Sequence, residues 1–427
     1  MFNRRKFVLG SLGVLAGGAA VARLCQPADQ GAPHPPYFAA LNQQLQRAGI
    51  DRPSLLIDLD RLDHNLQQLK QAVAGKRYRI VVKSLPSLPL LNYVAERTQT
   101  NAFMVFQRPF LSLLVAARPD ADILLGKPFP LSAARTFYRD FAQAGASTFV
   151  PSQQLQWLLD TPKRLRQYLG LAQELETRLR INLEIDVGLH RGGFNNPQRF
   201  VEALQLIAAH PEHLEFSGLM GYDAHVSGMP VFLAEREFPR VVERYQSYVA
   251  LARATCPQFF ERPLCFNGAG SPTFLRYREL DVLNDISAGS CLMKPTHFDL
   301  PILDAFVASS FIATPVLKRL PNQGLPSLEW LGPLSAAWDH NKQYSYFIYG
   351  GNWLAEPESP PGLALNPQYI SSNQQGLFAS ASSKLQVDDF VFLRPTQSEA
   401  VLLQFGDLLA MRGNAIVERW PVFTARG

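Results

Sequence analysis

The sequence predicts an α/β protein, a TIM-type (β/α)8 barrel followed by a C-terminal β domain. Three observations predict it. Short apolar runs alternate with amphipathic helical stretches from residue 54 to residue 290. Eight of these runs fall between residues 78 and 290, the number a closed parallel barrel needs. Beyond residue 300 the texture changes to strands separated by turns, without helical spacing. A doubly wound sheet is the alternative, but no G-x-G-x-x-G follows the first strand.

The elements follow in order. Residues 1–22 contain "NRRKFVLGSLGVLAGGAAVA", in which Arg4 and Arg5 precede a glycine-rich apolar stretch. Ala20 and Ala22 frame an A-x-A-like cleavage site, and the whole reads as a twin-arginine export signal. The apolar run is too short and too rich in glycine for a membrane span. The expectation is a periplasmic protein with no stable membrane insertion after cleavage. The alternative is a membrane anchor formed by an uncleaved leader. Residues 23–59 form a polar lead-in that ends in the strand "SLLIDL" (54–59). Asp60 is the expected cap of the next helix, whose Leu62, Leu66, Leu69 and Val73 share a face.

The barrel is expected over 60–300. Its strands are "YRIVVK" (78–83), "AFMVFQ" (102–107), "DILLG" (122–126), "STFVPS" (147–152), "INLEIDVG" (181–188), "FSGLMGYDA" (216–224), "LCFNGAG" (264–270) and "LNDISAGS" (283–290). Helical faces lie between them, such as Phe200, Val201, Leu204 and Ile207, or Val241, Val242, Tyr245 and Tyr248. The β domain, 301–427, is read from "YSYFIYG", "DDFVFL", "AVLLQF", "LLAMRG" and "AIVERWPVF". The turn-rich stretch "LAEPESPPGLALNPQYISSNQQG" is a surface excursion within it.

Composition narrows the function. Hydrophobic residues make up 47% of the chain and charged ones 18%, enough for a sizeable core. Net charge is +5, and Arg4, Arg5 and Lys6 of the leader supply three of those charges. No basic stripe with interleaved aromatics exists, which argues against a nucleic-acid partner. Cys25, Cys256, Cys265 and Cys291 form no C-x-x-C pair, so zinc-ribbon and thioredoxin readings fail and free thiols are expected.

Three stretches carry chemistry. Lys83 ends a hydrophobic strand where a barrel places its reactive groups. A lysine desolvated there needs a partner or a covalent bond, and it can form a Schiff base. In "EIDVGLHRGGF" glycines bracket His190 and Arg191, and Arg191 can hold an anionic oxygen. In "FNGAGSPTF", Asn267, Gly268, Ala269, Gly270 and Ser271 form a small loop after a late strand, able to cradle a phosphate. His210 and His213 sit at a helix end and read as capping or surface groups.

Taken together these motifs resemble the fold-type III (alanine racemase-like) pyridoxal-phosphate enzymes, within them the D-threonine aldolase and D-serine dehydratase group. "PSLLIDLDRLDHNLQQL", "RIVVKS", "IDVGLHRGGF", "FSGLMGYDAH", "NGAGSPTF", "ISAGS" and "VERWPVFTARG" occur in the family order, from about residue 50 to the end. The resemblance implies that Lys83 holds pyridoxal 5′-phosphate as an aldimine. It places Arg79 near the cofactor and Arg191 at its phenolic oxygen or a neighbouring group. Tyr222 would lie near the ring, and His190 and His225 could assist proton transfer. Asn267, Gly268, Ala269, Gly270 and Ser271 would bind the phosphate. It also implies a small amino-acid substrate, a homodimer, and a first strand that pairs with the β domain.

The sequence departs from the group in two places. Metal-dependent members carry a His-x-Cys or His-x-Asp pair after a late proline. Aligned on Pro395, the pair here is Gln397 and Glu399. Glutamine is a poor zinc ligand, so no divalent metal is expected. Glu399 remains able to bind a hard cation or to protonate a leaving hydroxyl. "YGGNW", from Tyr349, replaces a second family stretch. The resulting expectation is a lyase acting on D-amino acids with a β-hydroxyl. The alternatives are a racemase, with "QYSYFIY" supplying a second base, or a non-catalytic pyridoxal-phosphate carrier.

Overall fold

The computed structural model describes residues 26–145 and 147–424. The export signal and Cys25 lie outside the described residues. The chain divides into two compact units, one of residues 56–310 with 396–427, the other of residues up to Leu55 with 311–395.

Strand β1 (Ser54–Asp58) carries the chain from one unit into the other. The larger unit is a closed barrel of eight parallel strands. They are β2 (Arg77–Val81), β3 (Ala102–Val105), β4 (Asp122–Leu125), β5 (Leu155–Leu159), β6 (Leu179–Glu184), β7 (Leu214–Gly221), β8 (Cys265–Gly268) and β9 (Asp285–Ala288). Closure comes from β9 pairing back on β2, with Arg77 opposite Asp285 and Ile80 opposite Ala288. These strands are largely buried on both faces because helices cover the outside and side chains, polar ones such as Arg79, Asn182 and Asp285 among them, fill the inside.

The crossover helices start where the sequence supplies caps. Thr161 accepts from the Arg164 N–H and Asn196 from the Arg199 N–H, each followed by a proline at the first helical position. The face Leu62, Leu66, Leu69 and Val73 is buried as its spacing predicts. Trp157 of β5 is fully buried among Phe129, Phe137, Tyr138 and Tyr168, and its indole N–H donates to the Tyr138 hydroxyl.

Three sequence-based expectations are corrected. The run 147–152 is not a strand: Pro151 opens a single helical turn, and the barrel strand is the next run, "LQWLL". A run buried on both faces carries no alternation to mark it. The expected strand 400–405 is a short helix, Ser398–Val401, followed by a 3-10 turn. Asp58, not Asp60, caps the helix Leu59–Ala72, accepting from the Arg61 N–H. Asp60 instead accepts from Arg412 and from the Gly413 N–H.

In the smaller unit β10 (Ser310–Pro321) pairs antiparallel with β11 (Tyr344–Ile348) and β15 (Phe390–Pro395). β12 (Ala355–Ser359) and β13 (Ala364–Leu365) add to β15 and β14 (Gly376–Ala379), so the turn-rich stretch 354–376 carries sheet as well as surface. Phe38, on the helix Pro36–Arg47, packs on Phe311 and Phe392. The last strands, β16 (Asp407–Arg412) and β17 (Ala415–Pro421), form a hairpin in the barrel unit. Its Arg412 bonds Asp60, Asp63 and the Tyr93 hydroxyl. Among the described residues no helix is long and apolar enough to cross a membrane, and Cys256, Cys265 and Cys291 are free thiols.

Candidate active site

At the C-terminal end of β2 the chain leaves the barrel wall in one 3-10 turn, Val82–Ser84, which carries Lys83. The Lys83 ammonium sits 2.6 Å from Glu399 Oε1 and 4.4 Å from the centre of the Phe106 ring. Glu399 arrives on the short helix Ser398–Val401, in the same compact unit. Two hydroxyl contacts tie that helix to the barrel mouth: Ser84 to Ser290 at 2.9 Å, and Ser290 to Ser398 at 3.3 Å.

The lysine faces a cavity of about 580 Å³, counting the mouth that opens to solvent. Its walls include Met104, Phe106, Met220 and Phe298 on the apolar side and Arg191, Tyr222, Asn267 and Ser271 on the polar side. The loop after β8 turns at Ala269, which adopts a left-handed φ of +61°. Gly270 follows where a Cβ would come within 2.6 Å of the Tyr222 ring. Gly289 is as tight, since a Cβ there would lie 2.9 Å from Val81 Cβ. The Ser271 hydroxyl accepts from the Gly289 and Cys291 N–H groups at 3.1 and 3.0 Å, tying the loops after β8 and β9 together.

Arg191 is placed by the turn that follows β6. Asp186 accepts from the Gly188 and His190 N–H groups and binds the His190 ring at 2.7 Å. Gly193 (φ +89°) passes so close to Ile185 that a Cβ would lie 2.7 Å from its carbonyl carbon. The Arg191 guanidinium then lies 5.1 Å from the Tyr222 ring centre. Burial, with Asp223 and Glu399 nearby, raises the Tyr222 phenol above its ordinary value, and Arg191 only partly opposes this.

The structure brings together Lys83, Arg191, Tyr222, Asn267, Ala269, Gly270, Ser271 and Glu399 of the sequence-predicted residues. The others lie elsewhere. Gly268 is packed against Leu283 behind the loop. The His190 side chain is 80% exposed and engaged by Asp186, outside the cavity. The His225 ring is buried, 3.7 Å from Glu237, which Arg244 holds in turn. Gln397 is the backbone cap of the short helix and does not line the cavity. Among the described residues no cluster of His, Cys, Asp or Glu is arranged to hold a metal ion. Glu399, a carboxylate able to bind a hard cation, meets the Lys83 ammonium.

Arg79 lies fully buried inside the barrel and not on the cavity wall. It bonds Asp285 through Nε and Nη2 at 2.9 and 2.8 Å, and Asp122 through Nη1 at 2.8 Å. Burial alone would lower its pKa, but the two carboxylates outweigh it and hold the guanidinium well above its ordinary value. Phe106 is one of several wall residues, with Met104, Met220 and Phe298, that the sequence left unmarked. It follows the end of β3 within the run "AFMVFQ", where it reads as one more apolar strand residue.

Glu184, at the end of β6, is pushed up to about 7 by burial and by Asp160 and Asp186, with Arg191 opposing. Its folded value lies above the unfolded one. The stability it contributes is therefore present below about pH 4.5 and lost as pH rises through about 7. Glu184→Gln is expected to flatten the fall in melting temperature between pH 5 and 8, with a gain of ~3 kcal/mol at most above pH 7. Parallel thermal scans of the two proteins across that range check it.

The model of the alanine racemase N-terminal domain matches residues 57–296, more than half of the chain. An alanine racemase of Limosilactobacillus reuteri is 29% identical over 270 residues, 61% of this chain and 65% of that protein. The match thus spans just under two thirds of that curated relative. Among solved structures, D-threonine aldolase from Filomicrobium marinum superposes with a TM-score of 0.67 at 16% identity, covering 93% of this chain and 98% of that one. D-threo-3-hydroxyaspartate dehydratase from a Delftia species gives 0.67 at 15%, covering 88% and 98%. These likenesses show the fold.

Proposed function

Since the chain belongs to the alanine racemase family of fold-type III pyridoxal-phosphate enzymes, we propose that it is a pyridoxal-phosphate-dependent lyase acting on D-amino acids with a β-hydroxyl. The observation that carries this reading is the Glu399 carboxylate, 2.6 Å from the Lys83 nitrogen inside the cavity. The cavity suits the cofactor. An amine stands on one wall, serine hydroxyls and a tight loop on another, and Gly270 and Gly289 stand where a Cβ would strike the neighbouring wall residues Tyr222 and Val81. Pyridoxal phosphate, joined to an amino acid, weakens the bonds at Cα by drawing their electrons into its ring.

Lys83 would hold the cofactor covalently, and its freed Nζ is the group placed to take or return a proton at Cα. Ser271 and the backbone of Ala269 and Gly270 would hold the phosphate. Arg191 would hold an anionic group of the cofactor or substrate, and the Tyr222 hydroxyl would supply a hydrogen-bond donor. Phe106, Met104, Met220 and Phe298 exclude water from this end of the cavity. Glu399 takes the place of a metal: its carboxylate accepts the β-hydroxyl proton in cleavage of Cα–Cβ, or its acid form protonates the departing hydroxyl in elimination.

Glu399→Gln is expected to lower kcat/KM on β-hydroxy D-amino acids by ~10²–10⁴-fold while the bound cofactor's absorbance persists. Steady-state assays beside spectra of the same preparation check this. A panel of single amino acids tests the reaction class. Aldehyde plus glycine marks aldol cleavage, ammonia plus a keto acid marks elimination, and only an inverted amino acid would replace the reading with racemisation.

Racemisation is the second reading, favoured by the alanine racemase relatives. It needs a base opposite Lys83. Tyr222 is a poor one, being raised above its ordinary value. Tyr346 of "QYSYFIY" is fully buried, with its hydroxyl on the Leu385 carbonyl. A homodimer and export through the twin-arginine leader are parts of the same proposal, tested by sedimentation and by fractionation of cells.

A further inference from the structure

The helix Leu331–Trp338, in the smaller unit, has the sequence LGPLSAAW and carries no charge. A surface helix ordinarily turns a charged face to water. Here the inward face is set by Gly332, where a Cβ would strike the Asn322 carbonyl oxygen, so the helix backbone packs directly on the loop before it. Trp330, Leu334 and Trp338, four residues apart, fall on the far side. They are 64%, 58% and 45% exposed, and Leu325 and Leu328 of the preceding loop are exposed as well. Leu325, Leu331 and Leu334 line an open groove of about 1030 Å³ with Pro367 and Phe378. From residue 322 to residue 338 the only charged side chain is Glu329, which accepts from the Ser327 N–H. Single exposed apolar side chains are ordinary, but a contiguous uncharged stripe marks an interaction face.

The first described residues run beside this stripe. Gln26 Nε2 donates to the Ala337 carbonyl at 3.1 Å, on the last turn of the helix. Asn341 Nδ2 donates to the Ala28 carbonyl and Asn341 Oδ1 accepts from the Gln30 N–H, both at 2.8 Å. The uncharged run of the leader, residues 7–22, ends four residues before Gln26, a reach of no more than about 14 Å. A bilayer that receives this run therefore stands at the stripe. The run is short for a span, and one weak anchor binds reversibly where two contacts hold. A tryptophan at each end suits the layer where indole rings settle, and no charge of the helix has to leave water.

We propose that the stripe Trp330–Leu334–Trp338, with Leu325 and Leu328, lies in the interfacial layer of a lipid bilayer. The helix Leu331–Trp338 rests in the plane of the membrane, sunk by about 5–10 Å, and is a second contact next to the leader. It lies on the membrane and does not span it.

The test mixes the full chain with vesicles of phosphatidylglycerol and brominated phosphatidylcholine and follows quenching of tryptophan emission. Trp157 and Trp420 are buried, so a quencher in the acyl layer reports chiefly on the stripe. The expected result is quenching in the wild type that falls by at least about half in Trp330→Phe/Trp338→Phe, which keeps the apolar contact. Leu334→Glu is expected to lower vesicle partitioning by ~10–100-fold at an unchanged melting temperature. Absence of the protein from sedimented vesicles overturns the proposal. Sedimentation with vesicles but no quenching overturns it too, because the leader alone then makes the contact. A Leu334→Glu variant that loses a dimer in velocity sedimentation overturns it in favour of a second copy of this chain on the stripe.

Discussion

Lys83→Ala is expected to purify colourless and to lose at least ~10³-fold in turnover, because in the proposed function it removes both the covalent attachment point and the proton carrier at Cα. Lys83→Arg separates chemistry from packing. Its guanidinium retains a cation for the Glu399 carboxylate and the Phe106 face, both engaged by the native ammonium, but it cannot form the imine. It is expected to match the alanine variant in activity and the wild type in melting temperature. Absorbance after gel filtration, activity and thermal unfolding of the three proteins decide this. Borohydride reduction of the wild type followed by peptide mapping should place the label on the peptide that contains Lys83. A label elsewhere would defeat the assignment.

Arg79→Met is expected to cost ~3–5 kcal/mol of stability. The native guanidinium has no exposure and answers two carboxylates, Asp285 and Asp122. Methionine fills much of the volume but strands both charges. The stranded acids would then titrate upward in the folded state. The deficit should therefore shrink as pH falls and grow as it rises, because the folded variant binds more protons than its unfolded chain. Urea unfolding at pH 5 and pH 8 measures both the size and the sign.

Much of the fold was legible because a barrel repeats one simple pattern. Strands such as Arg77–Val81 and Leu214–Gly221 fell where apolar runs marked them. The miss at 147–152 was a miss of choice between two neighbouring apolar runs. "STFVPS" has β-branched and aromatic residues, whereas "LQWLL" reads equally well as helix. In the site, Lys83 and the loop 269–271 were legible from type and position. Arg79 shows what spacing alone leaves out. It lies within β2, whereas Lys83 stands on the 3-10 turn beyond the strand's end, so Arg79 sits deeper in the barrel. At that depth it is part of the barrel filling. His190 and His225 were marked by residue type; His190 is engaged by Asp186 four residues before it, within the same turn, and His225 lies near Glu237 twelve residues on. Glu399 was read as a hard-cation ligand or as the acid for a leaving hydroxyl, while the structure gives it an ammonium partner that is remote in sequence.

The return of residues 396–427 to the barrel unit has a consequence for biosynthesis. The barrel's own strands are complete at Ala288, yet the carboxylate that faces Lys83 is translated only after the whole intervening sheet of the smaller unit. A nascent chain still held on the ribosome has the lysine and the loops of the cavity long before it has the acid. Clipping by a protease ahead of Ser398 would leave the same half-equipped molecule. The lysine and its acid partner are thus encoded on either side of the smaller unit's sheet, and the acid is the last to emerge.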